Sequence, residues 1–156
     1  MAGIVQINNI GWWMKQHFGE KVVKLALDGG FTCPNRDGTC GTGGCIFCSS
    51  EGSGELASPI DQNGSKDLPG DPAGSSAVTK EKIALALKEQ IGLRKEKWPD
   101  AGAFIAYFQN HTNTYAPVRE LREKFEAALK VPGIKGLAIA TRPDCLADDV
   151  GITSVA

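Results

Sequence analysis

The chain has 156 residues, of which 42% are apolar and 22% are charged, and its formal net charge is −1. This composition is that of an ordinary globular domain, and the charge balance gives no argument for or against binding to nucleic acid. Residues 1–21 lack the pattern of a signal peptide, and no apolar run approaches the roughly 20 residues of a membrane span. We therefore expect a cytoplasmic protein with no membrane partner, whose five cysteines stay reduced.

Short apolar runs alternate with helical patterns along the chain. An aromatic segment comes first, and we expect Trp12, Trp13 and Phe18 to pack against the core. Apolar, partly β-branched runs predict strands at residues 21–28, 103–108 and 134–140. A first helix is predicted to begin near residues 76–79 and to end at residues 95–99. The second is predicted to open at Pro117 and to end before Pro132.

Two apolar stripes support these helices. The first helix repeats Ile83, Leu87 and Ile91 at four-residue spacing, and Leu85 widens the stripe. The second carries Leu121, Phe125 and Leu129.

Strands that alternate with helices predict an α/β fold with a parallel sheet of about three strands and two crossover helices. A long loop, rich in Ser, Gly, Pro and Asp, is predicted at about residues 49–78. Because so small a sheet leaves its edges open, we expect a partial (β/α) barrel: residues 1–156 would be the N-terminal part of a single larger domain.

Each predicted strand is followed by a polar loop. The first is the cysteine stretch, the second is QNHTNTYA at residues 109–116, and the third is TRPDC at residues 141–145. In parallel βα architectures, functional residues lie on loops at the carboxyl ends of the strands. We therefore expect these three loops to form one functional face.

The stretch DGGFTCPNRDGTCGTGGCIFCSS, residues 28–50, contains Cys33, Cys40, Cys45 and Cys48. Structural zinc sites use two close cysteine pairs, and only one such pair is present here. A thioredoxin-like pair would not carry two more cysteines upstream, and a glycine-rich loop offers no core in which to bury thiols. The remaining interpretation is an iron–sulfur cluster, held by the close pair and one further cysteine. Spacing alone leaves open whether the third ligand is Cys33 or Cys40.

A strand followed by a three-cysteine loop that ends in Cys-x-aromatic-Cys resembles the radical S-adenosylmethionine superfamily. The string DGGFTCPNRDGT…G.GGC.FC resembles its YhcC-like branch, which is related to the elongator catalytic-subunit family. Two further strings match, YFQ.HTNTYAP at Tyr107–Pro117 and TRPDCL at Thr141–Leu146. By this resemblance the metal ligands are Cys33, Cys45 and Cys48, whereas Cys40 stands where a non-cysteine residue is expected.

The sequence also departs from the resembled pattern. Asn110 and His111 stand where a small residue and an aromatic are more usual. The family barrel has about six βα units, of which this chain provides three strands.

The resemblance implies a [4Fe–4S] cluster whose open iron binds S-adenosylmethionine, an electron transfer that breaks a carbon–sulfur bond, and a 5′-deoxyadenosyl radical that abstracts hydrogen from a substrate. It implies cofactor contacts from Phe47, Gln109, Asn113, Thr114, Arg142 and Asp144. Asn113 and Thr114 suit local turn hydrogen bonds equally well, and Arg142 can instead pair with Asp144. No catalytic residue is indicated.

Transfer RNA is the substrate class suggested by the elongator relatives, and a flavodoxin or ferredoxin is the expected electron donor. The alternatives are a non-catalytic module stabilised by zinc or an iron–sulfur cluster, and an inactive fragment of the enzyme.

Overall fold

A computed structural model describes residues 9–49 and 79–146 of the protein. The strands are β1 (Lys21–Leu27), β2 (Ala101–Phe108) and β3 (Ile134–Ile139), and the α-helices are α1 (Ile10–Phe18), α2 (Lys80–Lys97) and α3 (Val118–Leu129). A short 3-10 helix follows β3 at Pro143–Cys145. The strands form one parallel sheet in the order β1-β2-β3. The predicted α/β class with three parallel strands is confirmed, and the long loop lies almost wholly outside the described residues.

The hydrophobic core lies between the sheet and helices α2 and α3. Strand β2 is central, and its Phe104, Ala106 and Phe108 are completely buried in this core. Helix α2 contributes Ile83 and Leu87, which are also completely buried. A strand with neighbours on both sides can be apolar at nearly every position, which explains the continuous apolar run that predicted β2.

Both helical stripes are narrower than predicted. Leu85 is 59% exposed because it lies two positions from Ile83 and from Leu87, on the opposite side of α2. Leu129, the last residue of α3, is 42% exposed. Ile91, the third residue of the predicted stripe, is partly buried and packs against the core. Gln90 beside it is 7% exposed, and its Nε2 donates to the Ala26 carbonyl at 3.1 Å. A buried amide thus joins α2 to the edge strand β1.

Helix α1 was not predicted as a helix. The Asn9 side chain caps it by accepting a hydrogen bond from Trp12 N–H at 2.8 Å, and Gly19 ends it in the left-handed conformation. Trp12 and Trp13 are 40% and 49% exposed, and α1 has no buried residue, so these two side chains lie outside the buried core. Within the described ranges, no helix is both long enough and apolar enough to cross a bilayer.

The chain turns sharply where it leaves β1. Gly30 has a φ of +67°, and a Cβ on Gly29 would come within 2.5 Å of the Phe31 ring. Glycine at these two positions therefore lets Phe31 fold back into the core, where it is 6% exposed. The turn sends the cysteine stretch across the carboxyl end of the sheet.

Candidate functional site

Three loops meet at the carboxyl end of the sheet: the cysteine loop (residues 28–49), the second loop (109–117) and the third loop (140–146). Main-chain hydrogen bonds join them in sequence. Thr112 N–H donates to the Thr32 carbonyl at 3.2 Å, and Asn113 N–H donates to the Ala140 carbonyl at 3.1 Å. The prediction that all three loops share one face is thereby confirmed.

Asn113 is the central connection between the second and third loops. Its side chain is completely buried, and Nδ2 donates to the Phe108 carbonyl at 3.1 Å and to the Ala140 carbonyl at 2.8 Å. Phe108 is the last residue of β2 and Ala140 directly follows β3, so one amide joins the two strand ends. Thr114 adds side-chain contacts to Thr141 Oγ1 at 2.5 Å and to the Cys145 carbonyl at 2.6 Å. Both residues therefore connect loops, beyond the local turn bonds considered from sequence.

A second buried amide connects the cysteine loop to the second loop. Asn110 Nδ2 donates to Asp28 Oδ2 at 2.9 Å, while Asp28 Oδ1 accepts from Gly30 N–H at 2.8 Å. The Oδ1 atoms of Asn110 and Asn113 are buried and have no hydrogen-bond partner within residues 9–49 and 79–146. The departure from the resembled pattern at Asn110 thus has a structural use, because this amide holds the exit of β1.

The close cysteine pair lies on a tight turn. Cys48 N–H donates to the Cys45 carbonyl at 2.9 Å, and Asn35 Nδ2 lies 3.1 Å from the Cys45 sulfur. Between the two cysteines, Ile46 and Phe47 project into solvent, and the Phe47 side chain is 77% exposed. The pair and its aromatic residue therefore form an accessible rim of the cysteine loop.

Cys33 contacts the second loop through Thr112 and the third loop through Arg142. Burial by itself raises the pKa of a thiol, but hydrogen bonds from Thr112, the Asn35 main chain and Arg142 outweigh it, and the pKa of Cys33 is lowered. The thiolate is the form that binds a metal. Arg142 of the third loop thus places a positive charge beside Cys33, a predicted metal ligand on the cysteine loop.

Arg142 also forms a two-bond pair with Asp144, with nitrogen–oxygen distances of 2.9 and 2.6 Å. This hydrogen bonding raises the pKa of Arg142 and lowers the pKa of the Asp144 carboxyl. The sequence alternative in which the two residues pair with each other is therefore what the structure shows. Beside this pair, burial and then the Asp144 charge raise the pKa of Cys145.

The three predicted ligands are not gathered into one cluster. Among the residues that the structure describes, no three side chains of His, Cys, Asp or Glu are grouped so that they could hold a metal ion. All three cysteines are nevertheless free thiols that are partly accessible. The donors thus fit an iron–sulfur cluster in chemical type and access, and binding would have to bring the close pair and Cys33 together. Cys40 is an exposed free thiol on the same loop.

An open groove of about 490 Å³ lies between the second and third loops. Thr114 and Asp144 line it, together with Tyr115 and Cys145. Tyr115 also reaches the cysteine loop, since its hydroxyl lies 3.0 Å from Thr39 Oγ1. Gln109 begins the second loop and donates its main-chain N–H to the Leu27 carbonyl at 3.1 Å. Sequence reasoning missed Tyr115, Thr112 and Asn35, because no spacing rule connects them to the cysteines.

His111 gives the site a testable pH dependence. Burial and then the charge of Arg36 lower the pKa of the His111 imidazole. The imidazole is therefore protonated at a lower pH in the folded chain than in the unfolded chain. Stability should therefore fall as the pH drops below about 6.5, until the lowered pKa is reached. His111→Asn should flatten this dependence, and asparagine also tolerates the positive φ of 61° at this position. Thermal unfolding of the metal-free chain between pH 8 and 5 measures it; identical pH profiles for wild type and variant would contradict the assignment.

Sequence comparison finds similar proteins in bacteria and an archaeon. The chain is 48% identical to YtqA of Bacillus subtilis over 143 residues, which is 92% of this chain and 38% of YtqA. It is 38% identical to YhcC of Escherichia coli K12 over 92% of this chain and 39% of YhcC. A protein of Methanocaldococcus jannaschii is 34% identical over 87% of the chain and 35% of its own length.

No protein-family model matches the chain, and no solved structure matches it significantly. The chain spans just under two fifths of the length of YtqA and YhcC. The predicted similarity to YhcC-like proteins is confirmed, and membership of the radical S-adenosylmethionine superfamily stays a prediction. What the comparisons establish is that this α/β chain is similar, over nine tenths of its length, to YtqA and YhcC.

Proposed function

We propose that the chain is the cofactor-binding part of a radical S-adenosylmethionine enzyme, with Cys33, Cys45 and Cys48 as ligands of a [4Fe–4S] cluster. The enzyme would generate a 5′-deoxyadenosyl radical, and the sheet would belong to a (β/α) barrel. The observation that carries the proposal is the position of the cysteine loop, which lies at the carboxyl end of the sheet together with two polar loops. The third loop reaches Cys33 through Arg142, as expected of a site assembled from loops at several strand ends.

The described side chains have distinct roles in this proposal. When bound, the cluster would supply one electron at an open iron for cleavage of the carbon–sulfur bond. Phe47 is exposed next to the close pair and provides an aromatic surface for the adenine. Arg142 and Asp144 provide opposite charges for the carboxylate and amino or ribose groups. Gln109 lies at the end of β2, within the same face.

Asn113 and Thr114 act differently from the exposed candidates. Both are buried, and their side-chain hydrogen bonds join the second and third loops, so they position the groups around them. The predicted direct contact of Asn113 and Thr114 with the cofactor becomes, in this proposal, an indirect one.

Anaerobic reconstitution with ferrous iron and sulfide tests the proposal. We expect about four irons and four sulfides per chain and a broad brown absorption that S-adenosylmethionine perturbs. Dithionite reduction in the presence of S-adenosylmethionine should then release 5′-deoxyadenosine. One bound zinc ion and no colour would overturn the proposal in favour of a metal-stabilised binding module. Cluster assembly with no 5′-deoxyadenosine, where full-length YhcC releases it, would indicate an inactive fragment.

The proposed substrate is transfer RNA, and the proposed electron donor is a flavodoxin or ferredoxin. Both rest on the resemblance to the elongator-related branch, since fold and cluster alone do not define a substrate. Crosslinking of the reconstituted chain to unfractionated transfer RNA, with double-stranded DNA as the competitor, tests the substrate class. Competition by DNA at equal concentration would argue against it.

A further inference from the structure

Lys124 is a buried lysine in the middle of α3, and it contacts the start of the cysteine loop. The residue is 6% exposed. Its Nζ donates to the Gly29 carbonyl at 2.8 Å and to Glu120 Oε1 at 2.6 Å, and lies 4.3 Å from the centroid of the Phe31 ring. Two of its three partners therefore belong to the segment that joins β1 to Cys33.

Burying an ammonium group is costly unless its charge and its N–H donors are matched. Here a carboxylate, a main-chain carbonyl and the face of an aromatic ring supply that match. A leucine or methionine would fill the same volume without this cost. The lysine therefore contributes something other than packing, namely a charged tie between α3 and the segment after β1.

This segment determines where the cysteine loop begins. Gly29 packs so tightly against Phe31 that no Cβ fits between them, and Phe31 in turn contacts Phe125 of α3 at a ring-centroid distance of 6.2 Å. Cys33 follows Phe31 by two residues and accepts a hydrogen bond at its carbonyl from Arg36 N–H at 2.8 Å. Movement of Gly29 or Phe31 would thus move Cys33 relative to Thr112 and Arg142.

We propose that Lys124 is a positioning residue for the cysteine loop, which holds residues 29–31 so that Cys33 stays beside the second and third loops. The inference rests on the proposed function only in treating Cys33 as a cluster ligand. The tie itself is measurable in the metal-free chain. It predicts that loss of the Lys124 charge loosens the start of the cysteine loop while the sheet remains intact.

Amide hydrogen exchange of the metal-free chain, followed by mass spectrometry, tests this. In Lys124→Met we expect residues 29–36 to exchange about tenfold faster, as expected for the loss of a charge-assisted hydrogen bond, while β3 exchanges at the wild-type rate. The matched control is Lys130→Met, which removes an exposed lysine of the same region that pairs with Glu126 at 3.3 Å. It should exchange like wild type in both segments.

Two milder variants test the proposal if Lys124→Met does not fold. Glu120→Gln removes the counter-charge of Lys124, and Glu126→Gln removes that of Lys130. Faster exchange of residues 29–36 in Glu120→Gln alone supports the tie. Equal exchange of that segment in both variants, or equally faster exchange in β3, overturns it.

Iron uptake separates this inference from the proposed function. Reconstituted Lys124→Met should bind severalfold less iron than wild type and Lys130→Met. If wild type binds no iron but residues 29–36 exchange faster in Lys124→Met, the positioning role of Lys124 is supported and the proposed function is contradicted. If wild type binds iron and Lys124→Met matches it in both measurements, the positioning role falls and the proposed function stands.

Discussion

Replacement of Cys33, Cys45 or Cys48 by serine, one at a time, should abolish the uptake of iron and sulfide during anaerobic reconstitution. Each thiolate would bind a separate iron of the cluster, and a serine hydroxyl is a poor substitute at neutral pH. The expected loss is at least about tenfold in iron per folded chain, judged from the cost of losing one metal ligand. Iron and sulfide analysis, with the absorption spectrum, measures it.

Cys40→Ser is the matched control, because it removes a thiol from the same loop. Cys40 is exposed, and it is not one of the three cysteines of the resembled motif. The variant should keep nearly the wild-type iron content. Loss of the cluster in Cys40→Ser together with its retention in Cys33→Ser would show that the tighter spacing, Cys40 with Cys45 and Cys48, defines the ligands.

The contacts of the metal-free cysteines bear on this test. Cys33 is hydrogen-bonded to Arg142, and Cys45 lies beside the Asn35 side chain. In the metal-free chain Asn35 contacts both sulfurs, Cys33 through its main chain and Cys45 through Nδ2, so a cluster bound by both cysteines would have to form beside this residue.

Metal sites that form as ligands come together couple binding to the ordering of the loop. Gly29 and Phe31 are buried and contact Lys124, whereas Ile46 and Phe47 on the turn of the close pair are exposed. If a cluster assembles, we therefore expect the close pair, and not the Gly29–Phe31 segment, to move.

The sequence was sufficient to predict the strands, their parallel direction and the shared face of the three loops. Continuous apolar runs such as residues 103–108 form strands that are buried on both faces of the sheet. A polar loop follows each of these strands. These features depend on local patterns and on the geometry of βα units, which are the same in many proteins. The apolar stripes of the two helices were less well predicted. Leu85 was included in the stripe of the first helix, but helical geometry places its side chain toward solvent.

The contacts that define the site could not be predicted in the same way. Lys124 is 95 residues from its acceptor Gly29, and Asn110 is 82 residues from Asp28. On a sequence, Lys124 resembles any charged residue of an exposed helix face, because its i,i+4 partner Glu120 forms an ordinary surface pattern. Only the packing of α3 against the exit of β1 shows that this ammonium is buried.

Asn113→Ala should strongly destabilise the metal-free chain. It removes the Nδ2 donor from the carbonyls of Phe108 and Ala140, both of which remain at the buried ends of adjacent strands. Each carbonyl keeps a main-chain donor, Ala140 N–H for Phe108 and Asn113 N–H for Ala140. Loss of the two side-chain hydrogen bonds should therefore lower the free energy of unfolding by roughly 1–3 kcal/mol. Asn113→Asp should cost more, because it places a carboxylate against two carbonyl oxygens in a completely buried position. Urea unfolding, followed by circular dichroism, measures both.

Asn110→Ala provides the comparison, since Asn110 is also buried and also leaves its Oδ1 without a partner in the described ranges. Its Nδ2 donates to Asp28, which accepts a second hydrogen bond from Gly30 and lies in a partly buried position. The expected loss is therefore smaller, about 1 kcal/mol. Because the Asn113 side chain bonds the carbonyls at the ends of both β2 and β3, equal losses in Asn113→Ala and Asn110→Ala would contradict its role as the central connection between the two loops. A larger loss of unfolding free energy in Asn113→Ala, with an unchanged slope of that free energy against urea concentration, would show that the Asn113 amide stabilises the carboxyl end of the sheet.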